Sequence, residues 1–179
     1  DNLSGCYMGI AVLKALHDQG ITLENTEVGV ILSGSEEAGL RGCKSWAKNH
    51  YDEYVNSGVE TVILCVDTLT DREYLRVYNK DMTGTVKNNQ QFSQLVMDAS
   101  KDAGHDDIEL SSVFFGSSDA AAFSQAGITA TCLAAMDPRP ADYYHNRRDT
   151  ADRLVPETIK TGFDVIISTI LNFDEKGLN

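Results

Sequence analysis

Three short apolar runs constrain this chain more than any other feature of its sequence. Val28-Gly29-Val30-Ile31-Leu32, Thr61-Val62-Ile63-Leu64-Cys65-Val66 and Thr129-Ala130-Thr131-Cys132-Leu133-Ala134-Ala135 are each short, and β-branched residues recur in them. Each is bounded by polar or turn-forming residues, so each reads as a strand buried on both faces. The segments between them keep a helical period. Residues 1–20 space Met8, Val12, Leu13 and Leu16 along one face, behind the capping candidates Asp1, Asn2 and Ser4 and ahead of Gly20. A helix is expected over 43–49 with Trp46 in the core, and an amphipathic one over 89–103 with Phe92, Leu95, Val96 and Ala99 on one face. Ser118 caps a helix through Gln125, with Gly127 past its end, and Pro156 opens a last helix through Asn172. Residues 74–78 alternate as a half-exposed strand does, and 113–115 are short and strand-like. Alternating strands and helices without repeat or linker predict one α/β domain over residues 1–179, a three-layer α/β/α sandwich around a mixed, mostly parallel sheet.

Composition narrows the functions such a domain can have. A chain of 179 residues buries a core of useful size, and its formal net charge of −12 argues against nucleic acid or an anionic membrane as partner. No apolar run reaches membrane-spanning length. The four cysteines, Cys6, Cys43, Cys65 and Cys132, form no CxxC pair and read as small core residues rather than a zinc–thiolate site. Nothing in the sequence assigns a compartment.

The chemistry gathers where the apolar runs end. The first is followed by Ser33-Gly34-Ser35-Glu36-Glu37-Ala38-Gly39-Leu40-Arg41-Gly42, the second by Asp67, and the third by a polar loop, residues 136–152, that holds His145 and Asp149. If the strands are parallel, these residues and Asp1 converge on one edge of the sheet, where ligands of open α/β folds bind. Adjacent carboxylates such as Glu36 and Glu37 repel and call for a cation or a proton. Carboxylates with an imidazole suit zinc or a related divalent ion. Each residue alone also has a plainer reading. The Glu pair can be a solvated acidic turn, Asp1 a helix cap, Asp67 a turn residue and His145 a surface histidine. Ser117-Ser118-Asp119 can be an N-cap, and Tyr143 and Tyr144 packing residues.

Taken together and in order, these stretches resemble the co-catalytic zinc aminopeptidases, the group that includes bacterial leucyl aminopeptidases and glutamate carboxypeptidase. Asp1-Asn2-Leu3-Ser4-Gly5 is similar to that family's D-[DNP]-x-S-G, and Glu36-Glu37-Ala38-Gly39-Leu40-Arg41-Gly42 to its E-E-x-G-L-x-G. Val66-Asp67 resembles its strand-end Asp, Ser118-Asp119-Ala120-Ala121-Ala122-Phe123 its S-D-x-x-x-[FW], and Tyr144-His145 with Asp149-Thr150 its Y-H-x-x-x-D-T. The resemblance implies a zinc-exopeptidase, phosphorylase/hydrolase-like fold and a metal-dependent aminopeptidase acting on peptides. It implies two zinc ions per complete domain, bridged by Asp1. One would also be held by Glu37 and His145, the other by Asp67 and by a histidine of an H-x-D strand preceding Asp1. Glu36 becomes the general base and Tyr144 the oxyanion donor. Ser118, Asp119 and Asp149 orient ligands, and Phe115 stands where some members place a tyrosine near the substrate. A cis peptide is implied between Asp1 and Asn2. No H-x-D occurs in the chain, so the reading expects an N-terminal part of the catalytic domain to be missing, covered either by further chain or by self-association. The rivals are a glutaminyl-cyclase-like single-zinc acyltransferase and a catalytically silent binding domain of the same fold. The retained Glu pair and the intact ligand positions within the chain favour the peptidase.

Overall fold

Alternation along one central strand sets the layers. The protein is described by a computed structural model that covers residues 2–139 and 141–178. Its elements in chain order are α1 (Leu3–Asp18), α2 (Arg41–Tyr54), β1 (Val62–Leu69), β2 (Leu75–Asp81), β3 (Val86–Lys87), α3 (Gln90–Asp102), β4 (Glu109–Ser112), α4 (Asp119–Gln125), β5 (Thr129–Ala135) and α5 (Pro156–Lys176). In β5, Leu133 and Ala135 face one core with Met8, Val12 and Leu16 of α1, Phe92, Leu95 and Val96 of α3, and Val165 and Ile166 of α5. Ala130 and Cys132 face the other, with Cys43 and Ala47 of α2 and the apolar run 120–123 of α4. Strand β1 repeats the rule, sending Val62, Leu64 and Val66 to the first core and Ile63 and Cys65 to the second. Period-two side chains against helices on both faces give the expected three-layer α/β/α sandwich. Among the described residues no helix is long and apolar enough to cross a membrane.

Among the described residues the sheet is mixed, as expected. β1 pairs β5 and β2 pairs β4 in parallel, whereas β2 runs antiparallel to both β5 and β3. The physical reason is the connection between β1 and β2. Residues 70–74 are too few for a crossover, which takes a dozen or more, so the chain returns antiparallel.

Two expected strands do not form. Residues 28–32 join no ladder, and Ile31 and Leu32 are 37% and 58% exposed. No described strand lies beside them; Val28 packs on the first core, and Val30 sits so close to α1 that a Cβ on Gly9 would come within 2.9 Å of it. Residues 113–115 lie beyond β4: the paired register ends at Ser112, Val113 N makes one more bond to Lys80 O at 2.9 Å, and Phe114 and Phe115 are in solvent. The other elements form where the pattern places them, with α2 extending to Tyr54 and α5 to Lys176.

The start of α1 is locked against the end of β1. Asn2 caps the helix by accepting from Gly5 N at 2.9 Å, and it donates from Nδ2 to Val66 O at 2.8 Å. Thr68 N donates to the same Asn2 Oδ1 at 3.3 Å. A Cβ on Gly5 would lie 2.3 Å from Val66 O, so only glycine allows this approach.

Candidate active site

Asp67 continues the alternation of β1 toward the α2 and α4 side. It accepts from Thr68 Oγ1 at 3.0 Å, and Thr68 holds a left-handed φ of 40°. Burial raises the Asp67 carboxyl above the usual range; the Thr68 hydroxyl opposes this, and the charges of Asp119, Glu37 and Asp81 add to it.

The turn after residues 28–32 carries the Glu pair. Gly39 N and Leu40 N both donate to Glu36 O, at 2.9 and 2.7 Å, and Gly42 N donates to Gly34 O at 3.0 Å. A Cβ on Gly42 would meet Gly34 O at 2.3 Å, which explains the glycine in the first turn of α2. Ser33 Oγ donates to Asp119 Oδ2 at 2.6 Å, fastening this turn to the first residue of α4. Glu37 Oε1 lies 2.8 Å from His145 Nε2, across 108 residues of sequence. The His145 ring stacks on Tyr144, with centroids 3.7 Å apart at 20°. Of the non-glycine residues with positive φ, Ser35, Leu40, Thr68 and His145 all belong to this region. Left-handed backbone at such residues is held by its surroundings and collects at functional sites.

Electrostatics single out Glu36. Its carboxyl is raised to about 7, first by burial and then by the charges of Glu37, Asp67, Asp119 and Asp81. Tyr144 is also raised, by burial and by Glu37, Asp67 and Glu36, so its phenol keeps its proton. Asp119 Oδ1 is buried with no hydrogen-bond partner among the described residues. Crowded carboxylates, an orphaned carboxylate oxygen and an imidazole are the donor chemistry of zinc, so the residues fit that ion. Among the described residues, no three acidic, histidine or cysteine side chains already stand as a cluster able to hold it. Glu37 and His145 pair with each other. Asp1, the implied bridging ligand, and the implied cis peptide after it fall outside the described residues.

The structure thus brings Glu36, Glu37, Asp67, Asp119, Tyr144 and His145 into one electrostatically coupled group. Asp149 lines an open cleft of about 620 Å³ together with Glu37, His145, Asn146 and Arg147. Phe115 stands apart, 81% exposed on the loop between β4 and α4. Ser118 is an N-cap whose hydroxyl donates to Asp81 Oδ2 at 2.6 Å, so it orients α4 rather than a ligand directly. Tyr143 is buried and donates to Asp71 Oδ2 at 2.6 Å. The thiols of Cys65 and Cys132 are raised by burial, as is that of Cys43, pushed up to about 12; they act as core groups.

Three residues escape the sequence reading. Ser33 opens the stretch that carries the Glu pair but has no role of its own in that reading. Asn2 reads as a cap and as part of the Asp1–Gly5 stretch, not as the tie to Val66 O that it makes. Asp81 is wholly buried and accepts from Ser117 Oγ, Ser118 N, Ser118 Oγ and Met82 N at 2.6–3.1 Å. Its one signal is a carboxylate ending an alternating strand just before the turn Met82-Thr83-Gly84.

Known structures share this architecture. LapB from Legionella pneumophila superposes with a TM-score of 0.81 at 15% identity, covering 98% of this chain and 46% of LapB. BSAP, a zinc aminopeptidase from Bacillus subtilis, gives a TM-score of 0.71 at 21% identity, covering 95% of this chain and 40% of BSAP. A glutaminyl cyclase from an Acidobacteriales bacterium gives 0.60 at 17%, covering 77% of this chain and 47% of the cyclase. At these identities the likeness is one of fold, and the chain spans less than half the length of each. No curated protein sequence matches it. The sequence pattern of peptidase family M28 matches residues 1–170, nearly the whole chain, which therefore belongs to peptidase family M28.

Proposed function

We propose that this domain works as a zinc-dependent aminopeptidase, hydrolysing the peptide bond that follows a free N-terminal residue. The observation that carries the reading is the meeting at one end of β1 of a half-buried Glu36 with the Glu37–His145 pair and the carboxylates of Asp67 and Asp119. Glu37, Asp67 and His145, with Asp1, would hold the metal. Bound there, zinc would supply an acidified water and a Lewis acid for the scissile carbonyl. Glu36 takes the proton of the attacking water and returns it to the leaving amine, a role worth roughly 10²–10⁴-fold in rate. Tyr144, protonated and stacked on His145, donates a hydrogen bond to the developing oxyanion. Ser33 anchors Asp119, and Asp81 fixes the N-cap of α4, so the carboxylate that faces Glu36 is held from two sides. The ammonium of the substrate faces the acidic groups.

The glutaminyl cyclase fold likeness makes a cyclising acyl transfer the alternative, and one assay separates the two. Peptides beginning with glutamine, with free and acetylated N-termini, are incubated with the full-length zinc-loaded protein. Release of free glutamine from the unblocked peptide alone is the expected result. A pyroglutamyl product, or equal cleavage of blocked and unblocked peptides, would overturn the reading.

A further inference from the structure

The loop after β5 carries four arginines, and their partners differ. Arg139 is bound to Asp137, with its Nη2 2.8 Å from Oδ2. Arg148 and Arg153 both reach Asp142, at 3.8 and 3.3 Å. Arg147 makes no ion pair with any described residue, and it is the one that lines the cleft beside Glu37 and His145. In a chain of net charge −12, a cation left open at the acidic cleft stands out against its surroundings. The cleft wall is therefore bipolar, with the carboxylates of Glu37 and Asp149 and the guanidinium of Arg147 on the same lining. A short peptide is bipolar in the same sense, carrying an ammonium at one end and a carboxylate at the other.

We infer that Arg147 is a specificity-determining residue that binds a carboxylate of a short peptide substrate on the leaving-group side of the scissile bond. A guanidinium offers paired N–H donors that match a carboxylate in a way neutral amides do not. The inference rests on the aminopeptidase reading. The carboxylate can be the C-terminus of a dipeptide or an acidic side chain in the second position, and both present the same group to Arg147.

The test compares Leu-Gly with Leu-Gly-amide, and Leu-Asp-amide with Leu-Asn-amide, on the full-length zinc-loaded protein. Both kcat/KM and equilibrium binding by calorimetry are measured, the latter on the Glu36→Gln variant so that substrate persists. The acid is expected to exceed its amide about five- to tenfold in at least one pair, which identifies the source of the carboxylate. That ratio should fall toward one in Arg147→Gln and at high salt, and survive in Arg148→Gln. A ratio near one in both pairs in the parent protein, a ratio unchanged in Arg147→Gln, or an equal loss in Arg148→Gln overturns the inference. Absence of hydrolysis with the binding preference intact would count against the aminopeptidase reading while supporting the role of Arg147.

Discussion

Two stretches of nearly the same composition have opposite fates here. Val62-Ile63-Leu64-Cys65-Val66 is strand, locked in parallel register from Val62 against Thr129 to Val66 against Leu133. Val28-Gly29-Val30-Ile31-Leu32 reads as the same kind of element and pairs with nothing among the described residues. Both are rich in β-branched and aliphatic side chains, so propensity does not separate them. The neighbour does, because a strand is satisfied by another strand's N–H and C=O groups. The comparison also shows how the residues of the proposed site are held. The paired strand ends in one site residue, Asp67, whereas the unpaired stretch leads into Ser33, Glu36 and Glu37. Ser33 and Glu37 are fixed instead by side-chain links to Asp119 and His145.

Core substitutions break the comparison most strongly. Leu133 is wholly buried and Leu32 is 58% exposed, so Leu133→Ala should cost about 2–5 kcal/mol and Leu32→Ala less than about 0.5 kcal/mol. Urea denaturation of both variants measures the difference, and equal losses would mean that residues 28–32 are packed as a strand after all. Asp81→Ala comes next. It strips an acceptor from Ser118 N, Ser118 Oγ and Met82 N inside the protein, at a cost of about 3 kcal/mol. The loss should appear as a lowered unfolding midpoint. Ser33→Ala removes one link of the unpaired stretch and should cost about 1 kcal/mol. Its clearer signature is faster amide hydrogen exchange over residues 33–42, with β1 protection unchanged.

The smallest effect is on pH dependence. Glu36 is raised from its ordinary value to about 7, and Asp67 is raised as well. A carboxyl whose folded pKa lies above its unfolded one stabilises fully below the unfolded value, and that contribution is lost as pH rises through the folded one. The metal-free protein should therefore melt lower at pH 8 than at pH 5. Zinc, by opposing the negative charge, should lessen or reverse the trend. A metal-free melting temperature that rises over this interval would contradict the charge crowding described for the site.

Much of this was legible from residue types alone. The short apolar runs gave β1 and β5, and helical spacing with caps gave α1, α3, α4 and α5, because each pattern reflects burial that the fold then supplies. That Glu36, Glu37, Asp67 and His145 would come together was legible from their places after the apolar runs. The antiparallel course of β2 was not, since strand direction depends on the length of residues 70–74 and not on the strand itself. Nor was the fate of 28–32, which depends on what lies beside it. Asp81 and Ser33 act through partners 36 and 86 residues away, and no local pattern records such pairings.

The central claim is that Glu36 moves the proton while its neighbours hold the metal. Glu36→Gln in the full-length protein tests it most directly, with zinc content by elemental analysis and peptide hydrolysis measured on the same preparation. The account predicts zinc retained and turnover reduced roughly 10²–10⁴-fold. Turnover unchanged with zinc retained would contradict it.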